Sequence, residues 1–380
     1  MTIDEDSLDE DEEISAALEE ESLLDLAKYR YQDTLLNFHY RSKYEELIAF
    51  SNYAFYGGQL YVSPNVSEPE TPPIEVHKMT GAIWDKRRNQ TEAEYIIKLL
   101  KDIFANRKEN ETIGIITFNT SQRDLIDDLI DKECIKDPEF AEQIRIESAR
   151  TQDGEDIGLF VKNIENVQGD ERDIIIFSIG YAKNENGKFI QNFGWLNQAG
   201  GENRLNVAIS RAKKKIHIVT SFEPNQMNVE NVKNPGPAIL QKYLEYAAAI
   251  SGGNRNLAKS ILHSFTTGPG GSAKNAENEL SYLDELEQSL KEEGFEYDRD
   301  IGIGGYTIDF AIKKNGRYVI GLECDSALYK QNTNARDRDY HRQKYLETRG
   351  WKLLRIWSPS WWKNKTDVIQ MITDAYDTAE

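Results

Sequence analysis

A chain of 380 residues, 39% hydrophobic and 10% aromatic, holds enough apolar material for two packed domains, which excludes a wholly disordered protein. Only Cys134 and Cys324 are cysteines, which excludes a disulfide framework and a cysteine-built zinc site and points to a reducing compartment. The formal charge of −19 argues against nucleic acid as a partner only in sum, because the charge is unevenly spread.

Residues 1–22 read as an acidic disordered tail; residues 1–25 hold twelve acids and no base. The N-terminus is not signal-like and no apolar run reaches the roughly 18 residues of a membrane span, so an intracellular, cytoplasmic protein without a membrane partner is expected. Residues 23–250 alternate strand and helix signals. Apolar β-rich runs at 112–118, 158–164, 173–181 and 215–221 are separated by helical patterns such as "EAEYIIKLLKDIFANR" and "QRDLIDDLIDK". Continuous apolar strands alternating with helices predict a parallel sheet covered on both faces.

Residues 251–275, rich in Gly, Ser, Thr and Asn, read as a flexible linker. From 276 to 380 the pattern changes to a helix (276–294), strand-like stretches near 295–303, 305–312 and 317–324, a basic helix (334–349) and a strand in "WKLLRIW". That order predicts a small α+β domain. Its basic segment, 329–365, carries ten Lys/Arg against Asp337, Asp339 and Glu347, which suits a phosphate backbone. Trp351, Trp357, Trp361 and Trp362 are expected to be mostly packing residues, and the five histidines, His39, His77, His217, His263 and His341, show no metal-ligand spacing.

Two arginines, Arg204 and Arg211, lie seven residues apart in "GENRLNVAISRAKKKIHIV", two turns of one helix, yet no G-x-x-x-x-G-K-[ST] loop occurs to cradle a nucleotide. Four stretches in order explain this: "LLNFHYRSKYEELIAFSNYAFYGGQL", "IGIITFNTSQRDLI", "NIENVQGDERDIIIFSIGY" and "NRLNVAISRAKKKI". They resemble the motifs of the second RecA-like domain of superfamily-1 helicases, in the branch that moves 5′ to 3′ on single strands. The resemblance implies an ATP site completed by Arg41 and Arg211, with Arg204 bracing the helix or cleft, Glu171 on the nucleotide ribose and Gln168 beside it. It implies strand contacts from Thr117, Asn119 and Asn163. It also implies that ATP is used only together with a missing N-terminal, P-loop-bearing half.

In the second domain, "GYTIDFAI" and "YVIGLECDSALYK" set Asp309 on one strand and Glu323 and Asp325, two apart, at the end of the next. Carboxylates converging at a strand end can hold Mg²⁺ or Mn²⁺. The arrangement resembles the PD-(D/E)XK (restriction endonuclease-like) fold, in the branch of very-short-patch-repair endonucleases. By that resemblance Asp309, Glu323 and the Cys324 carbonyl ligate metal, Asp325 and Glu279 complete the catalytic set, and Arg336, Arg338 and Arg342 contact the phosphates of a single-stranded or unwinding DNA. Ser326 and Lys330 stand where relatives carry glycine and histidine, so Lys330 would have to serve in the proton-transfer position. Such fusions resemble components of bacterial defence or DNA processing. Two other readings remain: a non-catalytic module with an inactive nuclease fold, and an RNA helicase half.

Overall fold

The computed structural model describes residues 27, 30–32, 34, 36–189, 193–229, 232–266, 277–325 and 336–379. By packing, the chain divides into two compact units, Met1–Phe38 and His39–Glu380. The expected acidic tail, 1–22, lies outside the described residues. Everything below concerns the second unit, which contains two lobes.

In the first lobe a loop around Arg41 leads into α1 (Glu46–Tyr56), then β1 (Ile74–Lys78), α2 (Gln90–Asn106), β2 (Ile113–Thr117), α3 (Thr120–Lys136) and α4 (Pro138–Ser148). A short hairpin, β3 (Thr151–Gln152) and β4 (Glu155–Asp156), precedes β5 (Phe160–Asn163), β6 (Arg172–Ser178), α5 (Gly201–Ile209), β7 (Ala212–Thr220), α6 (Gly236–Ser251) and α7 (Arg255–His263). The five longer strands form one parallel sheet in the order β1-β7-β6-β2-β5. Alternation along β6 explains the continuous apolar run: Ile174 and Ile176 enter a core with α2, α3 and α4, while Ile175 and Phe177 enter another with α1, α5, α6 and α7. β1 is an element that the apolar pattern did not announce. Its sequence, IEVHK, is half-buried at a sheet edge, where one polar face is tolerated.

The second lobe runs α8 (Glu277–Glu292), β8 (Glu296–Ile301), β9 (Ile308–Lys314), β10 (Arg317–Cys324), a π-helical turn (Asp337–His341), α9 (Arg342–Thr348), β11 (Leu353–Ile356), α10 (Ser358–Lys363) and α11 (Lys365–Asp377). Its sheet order is β11-β10-β9-β8, with β8, β9 and β10 antiparallel and β11 parallel to β10. Leu286 and Leu290 of α8 and Val368 and Ile372 of α11 pack with Phe310, Ile312, Ile320 and Leu322 of the strands. Trp351 and Trp361 are buried, whereas Trp357 and Trp362 are exposed.

The linker region differs from its reading. Residues 255–263 are helical, capped by Asn254, with Ala258, Ile261 and Leu262 buried in the first lobe's core. Three apolar residues spaced for one helix face were hidden among polar neighbours. Residues 267–276 lie outside the described part.

The lobes meet along a polar seam. Glu45 Oε2 accepts the amides of Ile303 (2.7 Å) and Gly304 (3.0 Å), and Asn52 Nδ2 donates to the Gly304 carbonyl at 2.7 Å. Tyr306 N–H donates to the Val62 carbonyl (2.9 Å), and Trp351 Nε1–H donates to the Pro64 carbonyl (3.0 Å). The segment 302–307 was expected to be largely strand; instead it leaves the sheet to lie on the first lobe. Glycine is required there, since a Cβ on Gly305 would sit 2.8 Å from the Leu60 carbonyl oxygen.

Burial, with Glu46 beside it, pushes the Glu45 carboxyl up to about 7. The folded state therefore keeps a proton that the unfolded chain has released, and the stability that Glu45 contributes falls as pH rises from about 5 to about 7.5. Glu45→Gln is expected to reduce that fall by roughly 1–3 kcal/mol in urea unfolding curves. Equal pH dependence in both proteins would show that the seam carboxylate is ionised throughout.

Candidate functional site

In the first lobe three of the expected ATP-site residues come together. Arg41, in the loop before α1, ion-pairs with Glu171, whose other oxygen accepts from Lys213 Nζ at 3.0 Å. Burial opposes ionisation of Glu171, but Lys213 and Arg41 together hold its carboxyl below the usual range. Arg211 follows α5 and hydrogen-bonds through Nε to the Val207 carbonyl (2.8 Å); burial, and the charge of Arg41, lower its pKa. Gln168 is exposed in the turn before β6. Arg204 turns elsewhere and stacks on Trp195, 4.6 Å from the ring centroid.

That stacking borders a cavity of about 650 Å³ lined by Trp84, Arg87, Phe118, Asn119, Thr120, Glu165 and Trp195, among others. Asn119 caps α3 through Oδ1, while its buried Nδ2 has no hydrogen-bond partner among the described residues. Thr117 Oγ1 donates to the Asn119 carbonyl (2.9 Å) and Asn163 Nδ2 donates to Thr120 Oγ1 (3.1 Å). The three expected strand-contact residues thus support one site, with Asn119 lining the cavity and the other two buried behind it. The cavity-lining Trp84, Arg87 and Trp195 were not singled out from the sequence, because single loop residues carry no periodicity.

In the second lobe, β9 and β10 pair Phe310 with Leu322 and Ala311 with Gly321. One step further this register sets Asp309 across from Glu323, on one face of the sheet, and β11 adds Arg355 beside Glu323. Glu323 is only 3% exposed. One of its oxygens pairs with Arg342 and the other with Arg355 Nη2 at 3.1 Å. Arg342 also donates to the Thr307 carbonyl (2.6 Å), and Arg355 donates to Asp339 (3.2 Å). Asp309 Oδ2 accepts the Cys324 amide at 2.8 Å. Asp325 accepts from Ser358 N (2.8 Å) and Oγ (2.6 Å), capping α10.

The donor chemistry, hard carboxylate oxygens on one face, fits a hard divalent cation. As arranged, however, the two guanidinium groups occupy Glu323. Arg342, expected on substrate phosphate, sits on the carboxylate instead. Arg336 is exposed, Arg338 lies in the π-helical turn and Glu279 lies in α8; nothing more is described of the last two side chains. Lys330 and Ser326 lie outside the described residues.

Among the described residues, the set of three ligand-type atoms within 4.8 Å of one another is Glu75, His77 and His217, not the Asp309 group. The β1–β7 register, with Glu75 opposite His217, unites histidines 140 residues apart that sequence spacing could not connect. His77 Nε2 and His217 Nδ1 are 2.9 Å apart, Tyr95 Oη lies 2.9 Å from His77 Nδ1, and Lys215 Nζ is 2.9 Å from Glu75. Burial lowers both imidazole pKa values, which favours neutral rings in this hydrogen-bonded chain.

A family model described as an AAA domain (AAA_12) matches residues 19–223, more than half of the chain. The chain belongs to this helicase-type family. A second model, REase_MTES_1575, matches residues 282–375, the restriction-endonuclease-like lobe. Two relatives are described as uncharacterized ATP-dependent helicases: one of Mycoplasma pneumoniae, 33% identical over 98% of this chain, and one of Mycoplasma genitalium, 34% identical over 96%. The chain spans about a third of their lengths, 32% and 31%. No described helix is long and apolar enough to cross a membrane.

Helicase-type and nuclease-like domains both imply nucleic-acid binding. Trp195→Ala is expected to weaken binding of a single-stranded oligonucleotide about 5- to 150-fold by fluorescence anisotropy, the range of one lost base stack. An unchanged affinity would remove the cavity from the binding surface.

Proposed function

We propose that the chain is the C-terminal part of a helicase–nuclease. Its first lobe supplies the arginine side of an ATP cleft and a track for single-stranded DNA. Its second lobe is a Mg²⁺- or Mn²⁺-dependent DNA endonuclease. The observation that carries the nuclease reading is the register of β9 and β10, which, continued one residue past Phe310 and Leu322, opposes Asp309 and Glu323 on one sheet face.

On the motor side, Arg41 and Arg211 are cations beside a carboxylate that each could exchange for phosphate oxygens, as a stabilising guanidinium does in phosphoryl transfer. The sequence contains no P-loop, so ATP turnover requires a P-loop-bearing half supplied with or beside this chain. For the strand, the amides at the start of α3 and the unpartnered Asn119 Nδ2 offer donors to phosphate, while Trp84 and Trp195 offer faces to bases.

On the nuclease side, a bound divalent ion would supply an activated water and charge neutralisation at the scissile phosphate. Asp309, Glu323 and the Cys324 carbonyl would hold it. Asp325 contributes indirectly, by fixing the start of α10 against the end of β10. Arg342 and Arg355 screen Glu323 at rest and, once released, are placed to meet phosphate. That screening is also the observation that favours the alternative, a nucleic-acid-binding module with a silent nuclease fold.

Cleavage of single- and double-stranded DNA in Mg²⁺ or Mn²⁺ separates the two readings. The parent is expected to cut and Asp309→Ala to lose about 99% or more of the rate, consistent with the two to four decades typical of a lost catalytic group. Two equally silent proteins would favour the module. Matched single-stranded DNA and RNA titrations test the DNA assignment, with tighter RNA binding overturning it.

A further inference from the structure

The contacts of α9 assign the nuclease-like lobe a second role. Arg342, Tyr345 and Arg349 stand at i, i+3 and i+7, on one face of the helix and the residue that ends it. Arg342 holds Glu323. Tyr345 Oη–H donates to the His39 carbonyl at 2.6 Å, and Arg349 donates to the carbonyls of Ser42 (2.7 Å) and Tyr40 (3.4 Å). Those three carbonyls flank Arg41 in sequence on both sides. On its other side the same loop is fixed to β7 by Lys43 N–H on the carbonyl of Lys213 (2.7 Å), the residue whose side chain shares Glu171 with Arg41.

We infer that Tyr345 and Arg349 are positioning residues for Arg41, and that α9 couples the ATP-cleft loop to the carboxylate site of the nuclease lobe. The inference rests on the functional reading above for both sites. The Arg41–Glu171 pair and the Arg342–Glu323 pair are the two latches of one device. When Arg41 leaves Glu171 for a nucleotide phosphate, the backbone at 39–42 moves. Tyr345 and Arg349 transmit that movement along a helix just under two turns long, and Arg342 is drawn from Glu323. Packed elements shift between discrete arrangements rather than bending continuously, so a short rigid helix gripped at both ends suits the purpose. Linkage makes the coupling reciprocal: a divalent ion that displaces Arg342 from Glu323 must in turn favour release of Arg41.

The experiment is hydrogen–deuterium exchange on the chain as it stands, followed at residues 39–43 and at the end of β10. Three amides report on the loop: His39 on the Tyr61 carbonyl, Ser42 on the His39 ring and Lys43 on Lys213. Tyr345→Phe removes one hydroxyl and is expected to speed loop exchange about fivefold, the equivalent of one ordinary hydrogen bond. Arg342→Gln touches no atom of the loop, yet is expected to speed its exchange about threefold or more, with Arg342→Lys intermediate. The double variant should show less than the product of the two effects, as residues acting through one element do. Arg349→Lys should restore most of what Arg349→Ala loses. Protection of β2 and β6 serves as the control for folding in every variant. A loop that ignores Arg342→Gln and Arg342→Lys while responding to Tyr345→Phe would overturn the coupling, and one that ignores Tyr345→Phe and Arg349→Ala would overturn the positioning role. Neither result bears on whether the parent cuts DNA, which the Asp309→Ala assay decides separately.

Discussion

The close backbone approach at residues 302–306 is the constraint on which the rest of the structure depends. Glycines at 302, 304 and 305 let this segment lie against Leu60 and Val62, and the buried Glu45 carboxyl group accepts two of its amides. A side chain at 305 would push the second lobe away. Because the seam is made by backbone groups and buried polar atoms, each lost contact leaves an unsatisfied partner, which costs more than the bond itself contributes. The lobes are therefore held in one orientation by hydrogen bonding, independently of whatever joins residues 266 and 277.

That orientation brings chemistry from distant parts of the chain to one place. The loop around Arg41 lies between β7 of its own lobe and α9 of the other. The same α9 starts at the carboxylate face of the second sheet. Arg41, proposed for an ATP cleft, and Glu323, proposed for a nuclease site, thereby share a helix as their common support. Nothing in either lobe alone would require this. It follows from where 302–306 lets the second lobe sit.

Much of the fold was legible in sequence because its signals are periodic. Continuous Ile-rich runs gave β2, β6 and β7, and their alternation between two cores explains why both faces are covered. The order of elements in the second lobe also followed from pattern. What pattern could not show were features made by tertiary approach. Gly304 and Gly305 look like a weak start to a strand, α7 is masked by polar neighbours, and β1 is too short and too polar to stand out. At the sites, the order of motifs led to Arg41, Glu171 and Arg211. It could not reveal that Arg204 serves Trp195, that Glu323 is gripped by two arginines, or that Asp325 caps a helix. Those are properties of side-chain direction, which sequence spacing does not fix.

We propose that Asp309 and Glu323 form a cation site held shut by Arg342. Anomalous scattering from crystals of the chain equilibrated with Mn²⁺ tests it most directly. The prediction is a manganese peak between the two carboxylates, with the Arg342 guanidinium moved off Glu323. Arg342 still seated on Glu323 at saturating Mn²⁺, with no peak on that face of the sheet, would contradict it.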